Sequence, residues 1–514
     1  MLYNAPLFWS RLAIEADRRD HTGAMTAVNQ RGPTRSSRAL AITHVAMHDA
    51  YFWPHLTSGG RPNPDHPLFF AYSFNNPYDA NQRDAAVAGA AFAALMGLYP
   101  ALSDLFVTGS DLFRPGMEAA FDVGISIGQA VLSYRRNDGS SEASGDVRPN
   151  GNRYDHREDP LNLGQGLLHP RWGEVAPFAV TQCHPLDRHP VPDRDSAYDR
   201  DYLEVFIKGS RTPPVRPPGH TFQPDRTGNE TTVGLYWGYD GAFAIGTPPR
   251  LYNQIVHSII SDRAKLPRTR MSESQVVRLL AFVNVAMADA AIAAWFHKYR
   301  FQLWRPVVGI RERDPSTGGP YPGQPAKKSL DPLADPLWTP FGAQRTNQSG
   351  PEARPFTPNF PSYPSGHATI GTAAFEAVRL FFEVNPNRRD SIGFVLISDE
   401  LNGRSVDSTS GRRIRHVRRY DSLLDAMYEN AVSRVYIGVH WRFDALVGDS
   451  PDDILGRGPN IGGVPLGRAI AQDIWNSGLR PAPSGARCSL GTPATSSIEQ
   501  GELATAALEE KGAE

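Results

Sequence analysis

Three short stretches of this chain carry side chains able to grip an oxyanion. In the first, Trp295-Phe296-His297-Lys298 runs on to Arg305-Pro306, with Lys298 and Arg305 seven residues apart. Two turns of helix place such positions on one face, so the spacing predicts an ammonium and a guanidinium fork aimed at a common spot on a helix that stops at Pro306. Surface lysines and arginines are the plainer reading. Against it stand Trp295, Phe296, Phe301 and Trp304, an unusually apolar setting for solvated charge.

The second stretch, Phe360-Pro-Ser-Tyr-Pro364-Ser365-Gly366-His367, precedes an apolar-periodic segment. Ser365 and Gly366 then fall at a helix start, where unpaired N–H groups and the positive end of the dipole seat anions. An ordinary serine cap beside a chance histidine reads the same way. In the third, Ser433-Arg434 leads to Gly438, His440 and Asp444. Six residues of straight helix separate Arg434 from His440 onto different faces, so Gly438 is expected to end the helix and return His440 to the site. Asp444, four residues on, would orient the imidazole, although a buried histidine paired with a carboxylate is common in any core. Together the stretches offer three cations, a hydroxyl, a helix-start amide and two histidines. That set suits a tetrahedral anion of two or three charges, with one imidazole bonding the central atom and the other moving protons.

Helical periodicity supplies the elements that must position these groups: 38–52, 83–98, 117–134, 272–304, 367–382 and 422–437. Alternating strand patterns are scarce. The expected fold is all-α, with a helical bundle over 1–136, an irregular Gly/Pro-rich connector over 137–250, a second bundle over 251–478 carrying all three stretches, and a flexible tail over 479–514. An internal echo, Val45-Ala-Met-His-Asp-Ala50 against Val285-Ala-Met-Ala-Asp-Ala290, hints that the bundles are duplicates.

Composition narrows the function. Lys+Arg 53 against Asp+Glu 54 gives a net charge of -1, so no global field gathers nucleic acid, and no nucleic-acid partner is expected. Two cysteines, Cys183 and Cys488, permit at most one disulfide and exclude a cysteine zinc site or iron–sulfur cluster. The acidic start lacks a basic region followed by an apolar run, so no cleavable secretory signal is expected, and the compartment stays open. The apolar stretch 85–102 is alanine- and glycine-rich and broken by Pro100, reading as a core helix; no transmembrane segment is expected.

In order and spacing, Lys298 with Arg305-Pro306, Pro364-Ser365-Gly366-His367, and Ser433-Arg434 with His440 and Asp444 resemble the tripartite signature of the vanadium-dependent haloperoxidases and phosphatidic-acid-type acid phosphatases. Stretches outside it, including 236–241, 245–250, 253–256, 400–403 and 461–466, are similar to the vanadium chloroperoxidases, from about Leu7 to Pro481. The resemblance implies two four-helix bundles and one vanadate per chain. It implies that Lys298, Arg305, Ser365, Gly366 and Arg434 donate to vanadate oxygens, that His440 ligates vanadium, and that His367 is the acid–base group. Asp240 would hold Arg434, while Trp295 and Phe360 would line the halide side.

The activity so implied is oxidation of chloride or bromide by hydrogen peroxide, through a peroxovanadate, to hypohalous acid that reacts with an organic acceptor. Phenylalanine at 360, where related bromoperoxidases carry histidine, points to chloride. The nearest alternative is a soluble acid phosphatase in which His440 forms a phosphohistidine and His367 protonates the leaving alcohol. A non-catalytic phosphate-binding protein is the other, though two converging histidines exceed what binding needs. The apolar wall of Trp295 and Phe360 favours halide.

Overall fold

A computed structural model of the chain describes residues 4–22, 28–53, 68–72, 78–145, 147, 152–192, 195–219, 221–222, 224–261, 271–312, 314, 333–456 and 458–488. Thirteen α-helices dominate these residues: α1 Ala5–Asp20, α2 Gly32–Phe52, α3 Arg83–Leu98, α4 Ser103–Ser110, α5 Glu118–Tyr134, α6 Ser196–Lys208, α7 Gly228–Tyr236, α8 Pro248–Ser261, α9 Glu273–Phe301, α10 Pro306–Ile310, α11 Gly366–Phe381, α12 Leu423–Tyr436 and α13 Gly463–Ser477. One antiparallel hairpin, β1 Phe394–Asn402 with β2 Arg415–Tyr420, interrupts them, Phe394 lying opposite Tyr420 and Ile397 opposite Val417.

Helices α1, α2, α3 and α5 pack as one bundle, and α8, α9, α11 and α13, flanked by α12, as a second. Alanine-rich α2 lies along α9, so a single hydrophobic core runs through both. The all-helical expectation with two bundles therefore holds. Six helices match the periodic segments within a few residues, whereas α1, α4, α6, α7, α8, α10 and α13 were not expected. Two of these, α6 and α7, lie inside the otherwise irregular connector. Capping decides α7 locally: Thr227 accepts from Glu230 N at 3.2 Å while the Glu230 carboxylate accepts from Thr227 N at 2.8 Å.

Among the described residues it is α9, rather than 85–102, that combines length with apolar composition. It is long and apolar enough to cross a membrane, yet 89% of its most apolar window is buried inside the protein, where it forms the axis of the core. The internal echo has a structural counterpart. Asp49 on α2 accepts from Phe69 N, Phe70 N and Tyr72 OH, and Asp289 on α9 accepts from Phe178 N, Ala179 N and Val180 N. In each bundle one buried aspartate satisfies the backbone of a returning loop that brings phenylalanine back to the core. The start of the tail is fixed: Ala482 N donates to Phe178 O at 2.8 Å, and Cys488 is disulfide-bonded to Cys183. The flexibility expected beyond it concerns residues 489–514, which lie outside those described.

Candidate active site

The three stretches meet at the inner end of a cavity of about 750 Å³, whose lining includes Trp295, Phe360, Gly366, His367, Arg434 and His440. Lys298, in the last turn of α9, is fully buried and donates from Nζ to Pro361 O at 2.8 Å and Ser362 O at 3.0 Å. Burial, followed by the neighbouring Arg305, pushes its pKa well below the usual lysine range.

Arg305 does not share the helix face expected from the spacing. Helix α9 ends at Phe301 because Gln302 adopts φ 50°, its N–H closing on Lys298 O, and the chain leaves extended, Trp304 N bonding to Tyr154 O. Arg305 is instead the N-cap position of α10 and returns to Lys298 by that turn. Its Nε donates to Phe360 O at 2.8 Å, and its Nη1 to Val439 O at 2.8 Å and His440 Nε2 at 2.9 Å.

Ser365 caps α11, its Oγ accepting from Ala368 N at 3.4 Å. A Cβ on Gly366 would stand 3.4 Å from the Trp295 ring and 4.0 Å from Lys298 Cε, so it would fill the space between the helix start and the ammonium. His367 follows, its Nε2 bonded to Gly238 O at 2.8 Å. A carbonyl only accepts, so the neutral ring carries its proton on Nε2 and has its lone pair on Nδ1. Desolvation, and then Arg434, drive the His367 pKa well below 6.5.

Gly438, at φ 74°, ends α12 as expected and turns the chain so that Arg434 and His440 face one cavity. Arg434 Nη2 donates to Asp240 Oδ1 at 2.6 Å, and burial raises the Asp240 pKa against that pull. His440 Nδ1 bonds Asp444 Oδ2 at 2.7 Å, which fixes the proton on Nδ1 and leaves Nε2 as the acceptor of the Arg305 Nη1 bond. Trp295 and Phe360 pack tilted by 46° at 4.8 Å between centroids, and Lys298 Nζ and Arg305 Cζ lie 5.0 and 4.8 Å from the Phe360 ring.

Every residue named from the sequence thus lies in or against one small region. Several partners were not foreseen. Ser362 Oγ and Trp441 N both donate to Asp444 Oδ2, locking the carboxylate that orients His440. Asn430 Nδ2 and Tyr252 OH hold the His367 carbonyl at 2.9 and 3.1 Å. Ser362 sits inside the second stretch, where its small hydroxyl between aromatics was the available signal; Asn430 and Tyr252 carry none. His156 is also close enough that Arg305 and Lys298 help depress its pKa to about 3, after burial.

The chain matches two family descriptions, the vanadium chloroperoxidase N-terminal domain over residues 2–110 and the vanadium chloroperoxidase second helical-bundle domain over residues 278–457. It is 31% identical to vanadium chloroperoxidase of Curvularia inaequalis, over 93% of this chain and 91% of that one. The chain belongs to the vanadium-dependent haloperoxidases. Its general activity is accordingly the oxidation of halide by peroxide, and the family is vanadate-dependent. The fold agrees: the first bacterial vanadium-dependent iodoperoxidase superposes with a TM-score of 0.60 at 16% identity, covering 93% of this chain and 97% of that one. A holo-type bacterial vanadium-dependent chloroperoxidase gives 0.53 at 15%, covering 89% and 97%.

The residues of this haloperoxidase fit a bound oxyanion. Arg305 Nη2 and Arg434 Nε and Nη1 are buried donors with no protein partner. Buried guanidinium N–H groups are costly to leave unpaired, so three at one site mark the place of an anionic acceptor.

Proposed function

We propose that the cradle holds one orthovanadate per chain and that the protein oxidises chloride as well as bromide. The observation that carries this reading is the set of unpaired buried donors of Arg305 and Arg434 beside the Nε2 of His440. Lys298, Arg305, Ser365, Gly366 and Arg434 would hold the vanadate oxygens and His440 Nε2 the vanadium. Bound there, vanadate supplies a Lewis-acidic centre for peroxide.

The chain's own residues do the rest. Asp444, pinned by Ser362 and Trp441 N, holds the His440 proton on Nδ1, so that Nε2, which here accepts from Arg305 Nη1, would become the ligand when Arg305 turns that donor to the anion. Asp240 fixes one arm of Arg434 and leaves the other for the anion. His367 is neutral at neutral pH, so its Nδ1 can accept the proton that peroxide brings. Trp295 and Phe360 form an apolar wall, which strips water from a halide and leaves it more nucleophilic. Phenylalanine at 360 rather than a polar residue supports chloride.

Halogenation of monochlorodimedone with chloride and with bromide tests this. Steady chlorination at mildly acidic pH is expected, lost in His367→Ala while bromination partly persists. Bromination without chlorination at any pH from acid to neutral would remove the chloride assignment.

A further inference from the structure

Outward from the cradle, the same cavity is lined by Arg31, Arg345 and Arg354, with Phe243 and Phe356 between them. The only carboxylate among the described lining residues is Asp240, which is already paired with Arg434. Arg31 and Arg354 make no ion pair among the described residues; Arg354 is exposed and donates only to Leu161 O at 3.1 Å. Arg345 lies with its Cζ 4.4 Å over the Phe356 ring, so cation and aromatic face are presented together. A chain with near-zero net charge has therefore gathered cations at one mouth, beside Phe243, which is 39% exposed. The mouth is tied to the inner wall, since Phe356, Pro358, Asn359 and Phe360 line the cavity in sequence, with Asn359 Nδ2 fixed to Gln165 O and Gly166 O at 3.1 Å.

We propose that this mouth is a docking site for an organic anion, an aromatic acceptor bearing a carboxylate or enolate. Its charge sits against Arg345 and Arg354 and its ring against Phe356 and Phe243. A cavity of about 750 Å³ accommodates a two-ring molecule with space to spare. Such an acceptor would wait within the cavity where the oxidised halide is released, which gives a selectivity that free diffusion of hypohalous acid does not. The acceptor role rests on the halide-oxidising function proposed above; the binding site does not.

The test is equilibrium dialysis of vanadium-free protein against 2-naphthoate and, separately, the neutral 2-naphthamide, at fixed ionic strength. Enough inorganic phosphate is present to fill the inner cradle and keep the carboxylate out of it. One equivalent of naphthoate is expected to bind more tightly than the amide, with that preference falling about tenfold in Arg345→Gln/Arg354→Gln and shrinking with salt. The single variant Arg354→Gln, at an exposed position, is expected to lose part of it and guards against misfolding of the double variant. Equal binding of acid and amide, a preference unchanged in both variants, or naphthoate expelled by phosphate would each overturn the proposal. Peroxide-driven oxidation of bromide, followed with a neutral acceptor, separately reports the function proposed above. Its absence would remove the acceptor role while leaving the dialysis result to decide the site.

Discussion

Replacing Arg434 with glutamine separates what holds the anion from what holds the fold. Arg434 spends Nη2 on Asp240 at 2.6 Å and keeps Nε and Nη1 for the cradle. A hydrogen bond to a charged group contributes about 1.5–3 kcal/mol, and glutamine retains at most one weaker, neutral donor. The loss in vanadate affinity is therefore about 3 kcal/mol, or roughly a hundredfold in Kd. The same change strands Asp240 without its cation, and breaking a buried pair costs about 3–5 kcal/mol, offset where the carboxylate, already raised by burial, takes up a proton. That second cost falls on the vanadium-free and loaded protein alike, so it appears in Tm rather than in Kd. Arg434→Gln/Asp240→Asn, which removes both charges of the pair, should recover much of the Tm while keeping the weakened affinity. Ultrafiltration of vanadate against the three proteins, with calorimetric Tm alongside, reads both quantities. Wild-type affinity in Arg434→Gln, or affinity fully restored in the double variant, would refute the reasoning.

Further outcomes follow from the same geometry. Vanadium-free protein should slowly hydrolyse an activated aromatic phosphoester, because His440 Nε2 beside the anion cradle is also a phosphoryl acceptor, and His440→Ala should abolish release of the phenol. Phe360→His should lower chlorination more than bromination, since it places a hydrated group at 4.8 Å from Trp295; an unchanged ratio of the two rates would make position 360 irrelevant to halide choice. Burial depresses His44, His189 and His297 to about 4 and His169 and His257 to about 3, so the unfolded chain binds protons that the native one refuses once pH drops below about 6.5. Stability present above that pH should fall by several kcal/mol by pH 5, partly offset by Asp201, raised to about 6, which gains protons in the native state; a Tm flat from pH 7 to 5 would contradict this.

The candidate site was more legible in the sequence than the path that builds it. Lys298, Ser365, Gly366, Arg434 and His440 carry their chemistry in residue type, and their segments announce helix ends through Gly366, Pro306 and Gly438. Arg305 shows the limit: heptad spacing suggested a shared helix face, but Gln302 at φ 50° ends α9 early, and nothing in a glutamine advertises a left-handed residue. The buried partners were hidden for a different reason. Gly238 O, Pro361 O and Ser362 O act through backbone carbonyls, which no side-chain pattern encodes. The hairpin β1–β2 was missed because β2, Arg415–Tyr420, is half arginine and carries little apolar alternation, its inner face supplied by Tyr420 stacking on Phe394 at 4.7 Å. The repeated aspartates were visible as a six-residue echo, but their use, capping loops that return from 20 and 109 to 111 residues away, depends on long-range contacts.

The central claim is that this cradle works through vanadate, and titration of stripped protein with orthovanadate tests it most directly. Halide-dependent halogenation should be absent at the start, rise with added vanadate, saturate at one equivalent per chain, and be suppressed competitively by phosphate. Full activity in a vanadium-free, phosphate-saturated preparation would contradict it.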